Sequence, residues 1–451
     1  MIRKLRQIIL FAGDIFACYL SLVLTLLIGF KPELTWEVFV LHLLPFSILY
    51  LSWLIVLYIF DLYNLNISRD KFLFYPRFIQ SLIVSIILGI AFFYLWPAFG
   101  ITPKTNLALN IFFFGGLIII WRKIFYSLFS KKLTINVAIL GDNKEASVLA
   151  REIIGRPYLG YKLRKIYSIN NNKSLIANIK TSKIKKNFAD ELKKDNIETL
   201  IITKSDKTND KISSMLYDCM ALRVNFWELS HAYEIICKKI PVDFIDKAWF
   251  LENLREGEKS FQDKIKKIID FFFACLFLII TLPLWALIAL LIKLGDAGPV
   301  FYKQKRVGKD SKEFWLFKFR SMKQNAENGK AIWAEKNDPR ITSVGKILRA
   351  SHLDELPQMI NVIKGDLSLV GPRPERNEFV KKLEKQIPYY NLRSLIKPGV
   401  TGWDQIKFKY ARTIEDSSEK LEYDLYYLKN RNLFLDFGII LKTFQSFFKK
   451  G

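Results

Sequence analysis

Phe271-Phe272-Phe273-Ala274-Cys275-Leu276-Phe277-Leu278-Ile279-Ile280-Thr281-Leu282-Pro283-Leu284-Trp285-Ala286-Leu287-Ile288-Ala289-Leu290-Leu291-Ile292 is the stretch on which the fold turns. It runs 22 residues without a charge, and ~20 apolar residues suffice for a helix to cross a bilayer. A crossing would put everything after Lys293 on the opposite side from everything before Lys264. The flanks speak against it. Lys264, Lys266 and Lys267 precede the run, and Lys293, Lys303, Lys305 and Arg306 follow it. Both ends thus carry the cation excess that marks the cytoplasmic side. Pro283 stands near the middle, where it removes a backbone hydrogen bond and bends a helix. The expectation is a helix-break-helix hairpin, broken at Leu282-Pro283, that enters and leaves by the same face. The groups freed at the break must be covered by side chains or protein, because lipid cannot satisfy them. The alternative is an ordinary span kinked at Pro283.

Four more apolar segments lie upstream, Ile8 to Phe30, Leu41 to Phe60, Ile79 to Trp96 and Leu107 to Phe129, each close to a spanning length. The first has a basic start but no small-residue cleavage site, and its apolar run exceeds that of a signal peptide, so it reads as an anchor. Arg3, Lys4 and Arg6 precede it; Arg69, Lys71 and Arg77 separate the second and third segments; Arg122, Lys123, Lys131 and Lys132 close the fourth. The two other loops offer only Lys31 and Lys104, which places both ends of this bundle in the cytoplasm. Asp14, inside the first segment, is either functional or a hydrogen-bonded packing residue.

Composition narrows the partners. Lys and Arg number 68 against 43 Asp and Glu, a net charge of +25, yet half of the residues are hydrophobic and 37 are Phe. That combination points to anionic lipid or phosphorylated ligands rather than to nucleic acid. Cys18, Cys219, Cys237 and Cys275 are scattered, with no Cys-x-x-Cys and no adjacent His, which excludes a disulfide framework and a zinc site and suits a cytosolic setting for the soluble parts.

From Thr134 the pattern becomes α/β. Asn136 to Asn143 reads as a buried strand entering a turn, with a helix from Glu145; Thr199 to Thr203 and Arg223 to Trp227 read as further parallel strands. A dinucleotide site would need Gly-x-Gly-x-x-Gly after the first strand so that backbone could approach a pyrophosphate. Here Gly141 is followed by Asp142-Asn143-Lys144-Glu145, so the expectation is a Rossmann-like module without dinucleotide chemistry. The charged tract from Lys183 to Lys194 reads as solvated surface, and residues 240–260 as a polar linker.

After the hairpin, Phe314 to Met322 ends with strand alternation that puts Lys318 and Arg320 on one face and Phe317 and Phe319 on the other. Two such cations suit a diphosphate, or form the solvated face of an edge strand. Next comes Ser351-His352-Leu353-Asp354-Glu355-Leu356-Pro357-Gln358. Ser351 has the spacing of a helix cap, which would place both acids in a first turn where the dipole favours ionised carboxylates; Pro357 moves the helix start later, and Gly365 is a stop. In Gly371-Pro372-Arg373-Pro374-Glu375 two prolines fix the backbone around one guanidinium able to grip phosphate bidentately. Lys397 to Trp403 forms a second rigid turn, Glu422 to Lys429 carries Asp424 among aromatics, and Leu433 to Phe448 is an amphipathic segment suited to a membrane interface or to a core.

Together these motifs resemble the bacterial sugar transferase family of monotopic polyprenyl-phosphate phosphoglycosyl transferases. The likeness rests on Phe317 to Met322, Leu353 to Gln358, Asn361 to Asp366, Leu369 to Glu375, Pro398 to Trp403 and Tyr423 to Tyr427. With the upstream bundle and module, it extends to the larger branch that initiates exopolysaccharide or O-antigen synthesis. The resemblance implies a membrane protein of three domains: a four-helix bundle over 1–132, a cytosolic Rossmann-like module over 133–255, and a re-entrant hairpin with a mixed α/β catalytic domain over 256–451. It implies transfer of a sugar 1-phosphate from a UDP-sugar to undecaprenyl phosphate with release of UMP, on the cytoplasmic face of the bacterial inner membrane. In the family the first acid of the dyad attacks the β-phosphate and Mg²⁺ assists. Asp354 takes that place here, with Glu355 as metal partner or base, Lys318, Arg320, Arg349 and Arg373 as phosphate-binding cations, and Asp424 as a later acid of the substrate site. Leu282-Pro283 stands where many members have Ser-Pro, and Asp404 where Ala is usual. Neither the sugar nor the oligomeric state, a homo-oligomer included, is written in these motifs. A membrane-anchored NAD-dependent nucleotide-sugar epimerase or dehydratase would need the absent glycine fingerprint, and a non-catalytic scaffold would leave the motif cluster idle.

Overall fold

The computed structural model describes residues 2–29, 35–65, 71–95, 104–129, 134–141, 144–168, 181–184, 187–203, 210–222, 224–254, 256–295, 298–324, 326, 338–408 and 413–448. Lys31, Arg69, Lys131, Lys132 and the turn residues Asp142 and Asn143 lie outside them. The chain forms two compact units, Met1–Leu229 and Ser230–Gly451.

In the first unit the four upstream apolar segments are helices: α1 (Ile2–Gly29), α2 (Trp36–Ile59), α3 (Lys71–Leu95) and α4 (Lys104–Phe129). Each is long and apolar enough to cross a membrane. Their shared core gathers Leu22, Phe46, Trp53, Phe78 and Phe114. Polar residues inside it find one another. Asn110 Nδ2 donates to Tyr50 Oη at 2.8 Å and to Ser21 Oγ at 3.1 Å, as expected where no water competes. Asp14 pairs with Arg122 at 2.7 Å, both buried. Arg122, read from sequence as a flanking cytoplasmic cation, is instead spent inside the bundle, because a buried carboxylate needs a partner charge.

The rest of this unit is a five-stranded parallel sheet in the order β3-β2-β1-β4-β5, formed by β1 (Ile135–Leu140), β2 (Tyr161–Ser168), β3 (Thr181–Lys183), β4 (Thr199–Ile202) and β5 (Asn225–Glu228), with α5 (Lys144–Gly155), α6 (Phe188–Lys194) and α7 (Asp210–Asp218) between strands. Strands β1 and β4 are buried along most of their length, which is why they read as continuous apolar runs. Gly141 turns the chain at φ 104°, a conformation open to glycine.

The second unit opens with α8 (Leu229–Cys237) and α9 (Lys247–Asn253). Ile240, Val242, Ile245 and Phe250 are buried in the same core as Leu421, Tyr427 and Ile439. The segment read as a polar linker is therefore structural: its apolar residues are spaced too irregularly to signal a helix or strand, but each fills this core. Helix α10 (Ser260–Gly295) follows as one helix of 36 residues with Pro283 inside it. Then come β6 (Phe301–Val307), β7 (Glu313–Phe319), α11 (Ser343–Ala350), α12 (Gln358–Lys364), β8 (Ser368–Val370), α13 (Asn377–Glu384), β9 (Gly399–Thr401), α14 (Trp403–Lys407), α15 (Ile414–Asn430) and α16 (Leu433–Phe448).

Both halves of α10 pack on this one unit. Asp270 accepts a hydrogen bond from Ser368 Oγ at 2.6 Å; Ala274 packs with Leu316, Met359 and Val362; beyond Pro283, Ile288 and Ile292 pack with Phe319, Leu348 and Leu356. The opposite face exposes Phe272, Ile279, Ile280, Leu287 and Leu290, an apolar stripe of a size that water does not tolerate on a monomer surface. Helix α16 is amphipathic as expected: Ile439 is buried and Asp436 accepts from Tyr427 Oη at 2.6 Å and Lys266 Nζ at 2.8 Å, while Phe434 and Phe437 face outward.

Candidate active site

The acid pair sits in a short 3-10 turn, Leu353–Glu355, between α11 and α12. Ser351 does not cap a following helix. It ends the preceding one, its Oγ donating to Ile347 O at 2.7 Å, a back-bond to the previous turn that serine makes as readily as an N-cap. His352 then turns the chain at φ 54°, and Pro357 caps α12, which stops at Gly365 with φ 86°. The acids thus lie before the helix proper, and its dipole is not what sets their ionisation.

Burial and neighbouring charges set it instead. Asp354 is 7% exposed. Burial raises its carboxyl above the ordinary range; Lys318 opposes the rise and the Glu355 charge adds to it. For Glu355 burial pulls the same way but loses, because Lys318 Nζ and Arg373 Nη2 both donate to its Oε1, at 2.7 Å and 2.9 Å, and hold it well below the carboxylate range. Two adjacent acids are therefore unequal: one permanently ionised and clamped, the other free of such a clamp and easier to protonate.

Asn361 fixes this geometry. It is fully buried; its Nδ2 donates to Trp315 O at 2.7 Å and its Oδ1 accepts from Phe317 N at 3.0 Å. Helix α12, which continues from the dyad, is thereby stapled to β7 at the residues just before Lys318. Its place in the Asn-Val-Ile-Lys-Gly-Asp motif was legible, but not its task. The Arg373 turn is set by close approach of β8 and β9. A Cβ on Gly399 would lie 2.0 Å from Gly371 N, and one on Gly371 would lie 2.5 Å from Lys397 O, so both positions need glycine.

Among the expected site residues, Lys318, Asp354, Glu355 and Arg373 come together. Arg349 stands behind them, donating from Nε to Ser321 Oγ at 2.9 Å, and its charge opposes the rise at Asp354. Arg320 lies past the end of β7 and, with Ile292, Gly295 and Thr342 to Val344, lines a separate cavity of about 130 Å³. Asp424 is 2% exposed and pairs with Arg393 at 2.9 Å rather than with Lys318 or Arg373. Asp404 is wholly buried; among the described residues neither oxygen has a hydrogen-bond partner, and its ion partner is Lys420 at 3.6 Å. Arg393 and Lys420 carry no motif that would have singled them out; Tyr390-x-x-Arg393 and the Lys420-x-x-x-Asp424 helical spacing are their only traces in the sequence.

Fold and site together define a membrane protein with an apolar helix laid along an α/β domain, whose acid pair, one member buried and the other partly so, is flanked by cations suited to a phosphate-bearing substrate. The model of the bacterial sugar transferase family matches residues 261–450, and the exopolysaccharide production protein PSS of Rhizobium leguminosarum bv. phaseoli is 36% identical over 193 residues, 42% of this chain and 96% of that protein. The chain belongs to the bacterial sugar transferase family. It is also similar to the UDP-N-acetylgalactosamine-undecaprenyl-phosphate N-acetylgalactosaminephosphotransferase of Aeromonas hydrophila, at 38% identity over 51% of this chain and 53% of that one. The UDP-glucose:undecaprenyl-phosphate glucose-1-phosphate transferase of Klebsiella pneumoniae is 28% identical over 82% of this chain and 80% of its own. The match thus spans about half the length of the Aeromonas relative.

Proposed function

We propose that the chain transfers a sugar 1-phosphate from a UDP-sugar to undecaprenyl phosphate. The activities for which its relatives are named support this, and the observation that carries it is the unequal acid pair. A carboxylate oxygen of Asp354 attacks the β-phosphorus of the donor; an O–P bond forms as the bond from that phosphorus to the bridging oxygen breaks, and UMP leaves with the oxygen. An oxygen of the lipid phosphate then attacks the same phosphorus, the bond to Asp354 breaks, and a polyprenyl diphosphate sugar departs with the carboxylate restored. Lys318 and Arg373 balance charge on the transferring group, with Glu355 holding both cations in place.

The donor set fits Mg²⁺, which takes one or two carboxylates and completes its shell with phosphate oxygens and water. Asp354 would hold it rather than Glu355, whose Oε1 is already occupied by two cations. When bound, the ion would neutralise the diphosphate.

The same-sign flanks of α10 and the packing of both its halves on one unit support an entry and exit by a single, cytoplasmic face, bent at Pro283. In this reading an entry of that kind brings the dyad to the level of the lipid phosphate. Purified protein incubated with radiolabelled UDP-glucose and UDP-N-acetylgalactosamine, Mg²⁺ and undecaprenyl phosphate is expected to yield labelled lipid and free UMP. Absence of both products with every UDP-sugar tried would refute the reading.

A further inference from the structure

The turn that carries Arg373 has every carbonyl from Pro372 to Glu375 occupied. Pro372 O accepts from Gly399 N at 2.9 Å, Arg373 O from Arg393 Nη2 at 2.9 Å, Pro374 O from Arg306 Nη1 at 3.4 Å, and Glu375 O from Val307 N at 2.9 Å. Among these donors Arg393 alone is bonded to the residue whose own guanidinium reaches Glu355. Arg393 is itself fixed from two sides: Nη1 donates to Tyr390 Oη at 2.7 Å and Nη2 stands 2.9 Å from Asp424 Oδ2. Both members of that ion pair are buried, and Asp424 pairs with Arg393 rather than with Lys318 or Arg373. Around them Lys420 pairs with Glu375 at 2.6 Å and with Asp404 at 3.6 Å, and Arg306 stands 3.8 Å from Glu375.

We propose that Arg393, held by Asp424 and Tyr390, is a positioning residue that orients the Arg373 peptide so that the Arg373 guanidinium lands on Glu355 and the transferring phosphate. The inference rests on the role given to Arg373 above. A peptide that rotates by a few tens of degrees swings a side chain as long as arginine by more than an ångström, and a misplacement of ~1 Å costs up to roughly 10²-fold in rate. It also gives Asp424 a task compatible with its burial: it acts at second hand, through Arg393.

A double-mutant cycle with the full chain in nanodiscs tests this. kcat/KM would be measured with UDP-glucose and UDP-N-acetylgalactosamine for wild type, Arg393→Gln, Arg373→Ala and the double variant, with melting midpoints recorded alongside. Arg393→Gln is expected to lower kcat/KM roughly tenfold or more in wild type, but less than about twofold once Arg373 is Ala, because there is no guanidinium left to aim. Asp424→Asn, which keeps the carboxylate's shape, is expected to show the same non-additivity and covers the case in which Arg393→Gln does not fold. Equal losses in both backgrounds would show a merely structural role and overturn the proposal, as would an unimpaired Arg393→Gln beside an impaired Arg373→Ala. A fully active Arg373→Ala would fault the site reading itself and remove the basis for the inference.

Discussion

Asp354 and Glu355 share a turn but not an environment, and the difference predicts a pH profile. Glu355 is neutralised by Lys318 and Arg373; Asp354 is buried and raised above the 3.8 of an ordinary aspartate. Attack requires the ionised form, so activity falls as pH drops through the raised value. The acid limb of single-turnover UMP release is expected above pH 3.8, and Arg349→Met, which removes a charge opposing the rise, should move it higher. A downward move would contradict this account. Asp354→Asn should reduce turnover by at least roughly 10³-fold with folding intact, since the carboxamide is no nucleophile. At Asp404 the expectation concerns stability. Among the described residues its carboxylate is buried with no hydrogen bond and one ion partner shared with Glu375, and its charge adds to the burial that raises Asp424. Asp404→Asn should therefore stabilise the protein by about 1–3 kcal/mol, read as a higher melting midpoint. A loss of that size would mean that the Lys420 pair outweighs the unsatisfied oxygens.

Helix α10 shows what a charge pattern can and cannot tell. Apolar length placed the C-terminal end of the element within a few residues, Ile292 against Gly295. It put the start at Phe271 where the helix begins at Ser260, because the first turns are polar and carry no hydropathy signal. Whether the helix is interrupted is decided by packing, and here Ser260–Gly295 is one helix where the sequence pointed to two. Thr281 Oγ1 donates to Phe277 O at 2.8 Å and accepts from Trp285 Nε1 at 3.2 Å, placing two residues upstream of Pro283 the hydroxyl that Leu282 lacks. Cysteines placed before Lys264 and after Lys293 are expected to react with an impermeant reagent from the same side in wild type. In Pro283→Leu with Thr281→Val, loss of the proline and of the Thr281 hydroxyl is expected to bring labelling from opposite sides in part of the population. Opposite-side labelling of wild type would establish a true span. Strands β1 and β4 were legible because they are buried on both faces, whereas β2, with Lys162, Arg164 and Lys165, and the three-residue β3 carry no hydrophobic signature. Ser351 misled for a related reason: Ser-x-x-Asp starts a helix or ends one according to what precedes it.

At the scale of the molecule, the second unit contains the whole candidate site and a core of its own, and it begins at Ser230 rather than at the change of texture near residue 256. The segment between those points is tied in by more than its apolar residues. Trp403 Nε1 donates to Lys238 O at 3.0 Å, Ile240 N to Glu422 O at 3.0 Å, and Lys429 Nζ to Glu234 Oε2 at 2.7 Å. Burying side chains such as Ile240, Val242, Ile245 and Phe250 contributes about 1.5–3 kcal/mol each, of the order of a domain's entire net stability when summed. A relative is matched over 96% of its length by 42% of this chain, fewer residues than the second unit holds, so what residues 230–255 contribute follows from the core they fill. Two truncations should therefore behave differently. A chain from Ser230 to Gly451 is expected to be extracted folded in mild detergent and to release UMP from a UDP-sugar in the presence of undecaprenyl phosphate. One from Glu256 is expected to aggregate or to melt at least ~10 °C lower, since a loss of several kcal/mol corresponds to a shift of that size. Equal melting of the two would show that residues 230–255 merely cover the core; an inactive but well-folded longer fragment would show that Met1–Leu229 contributes to the reaction.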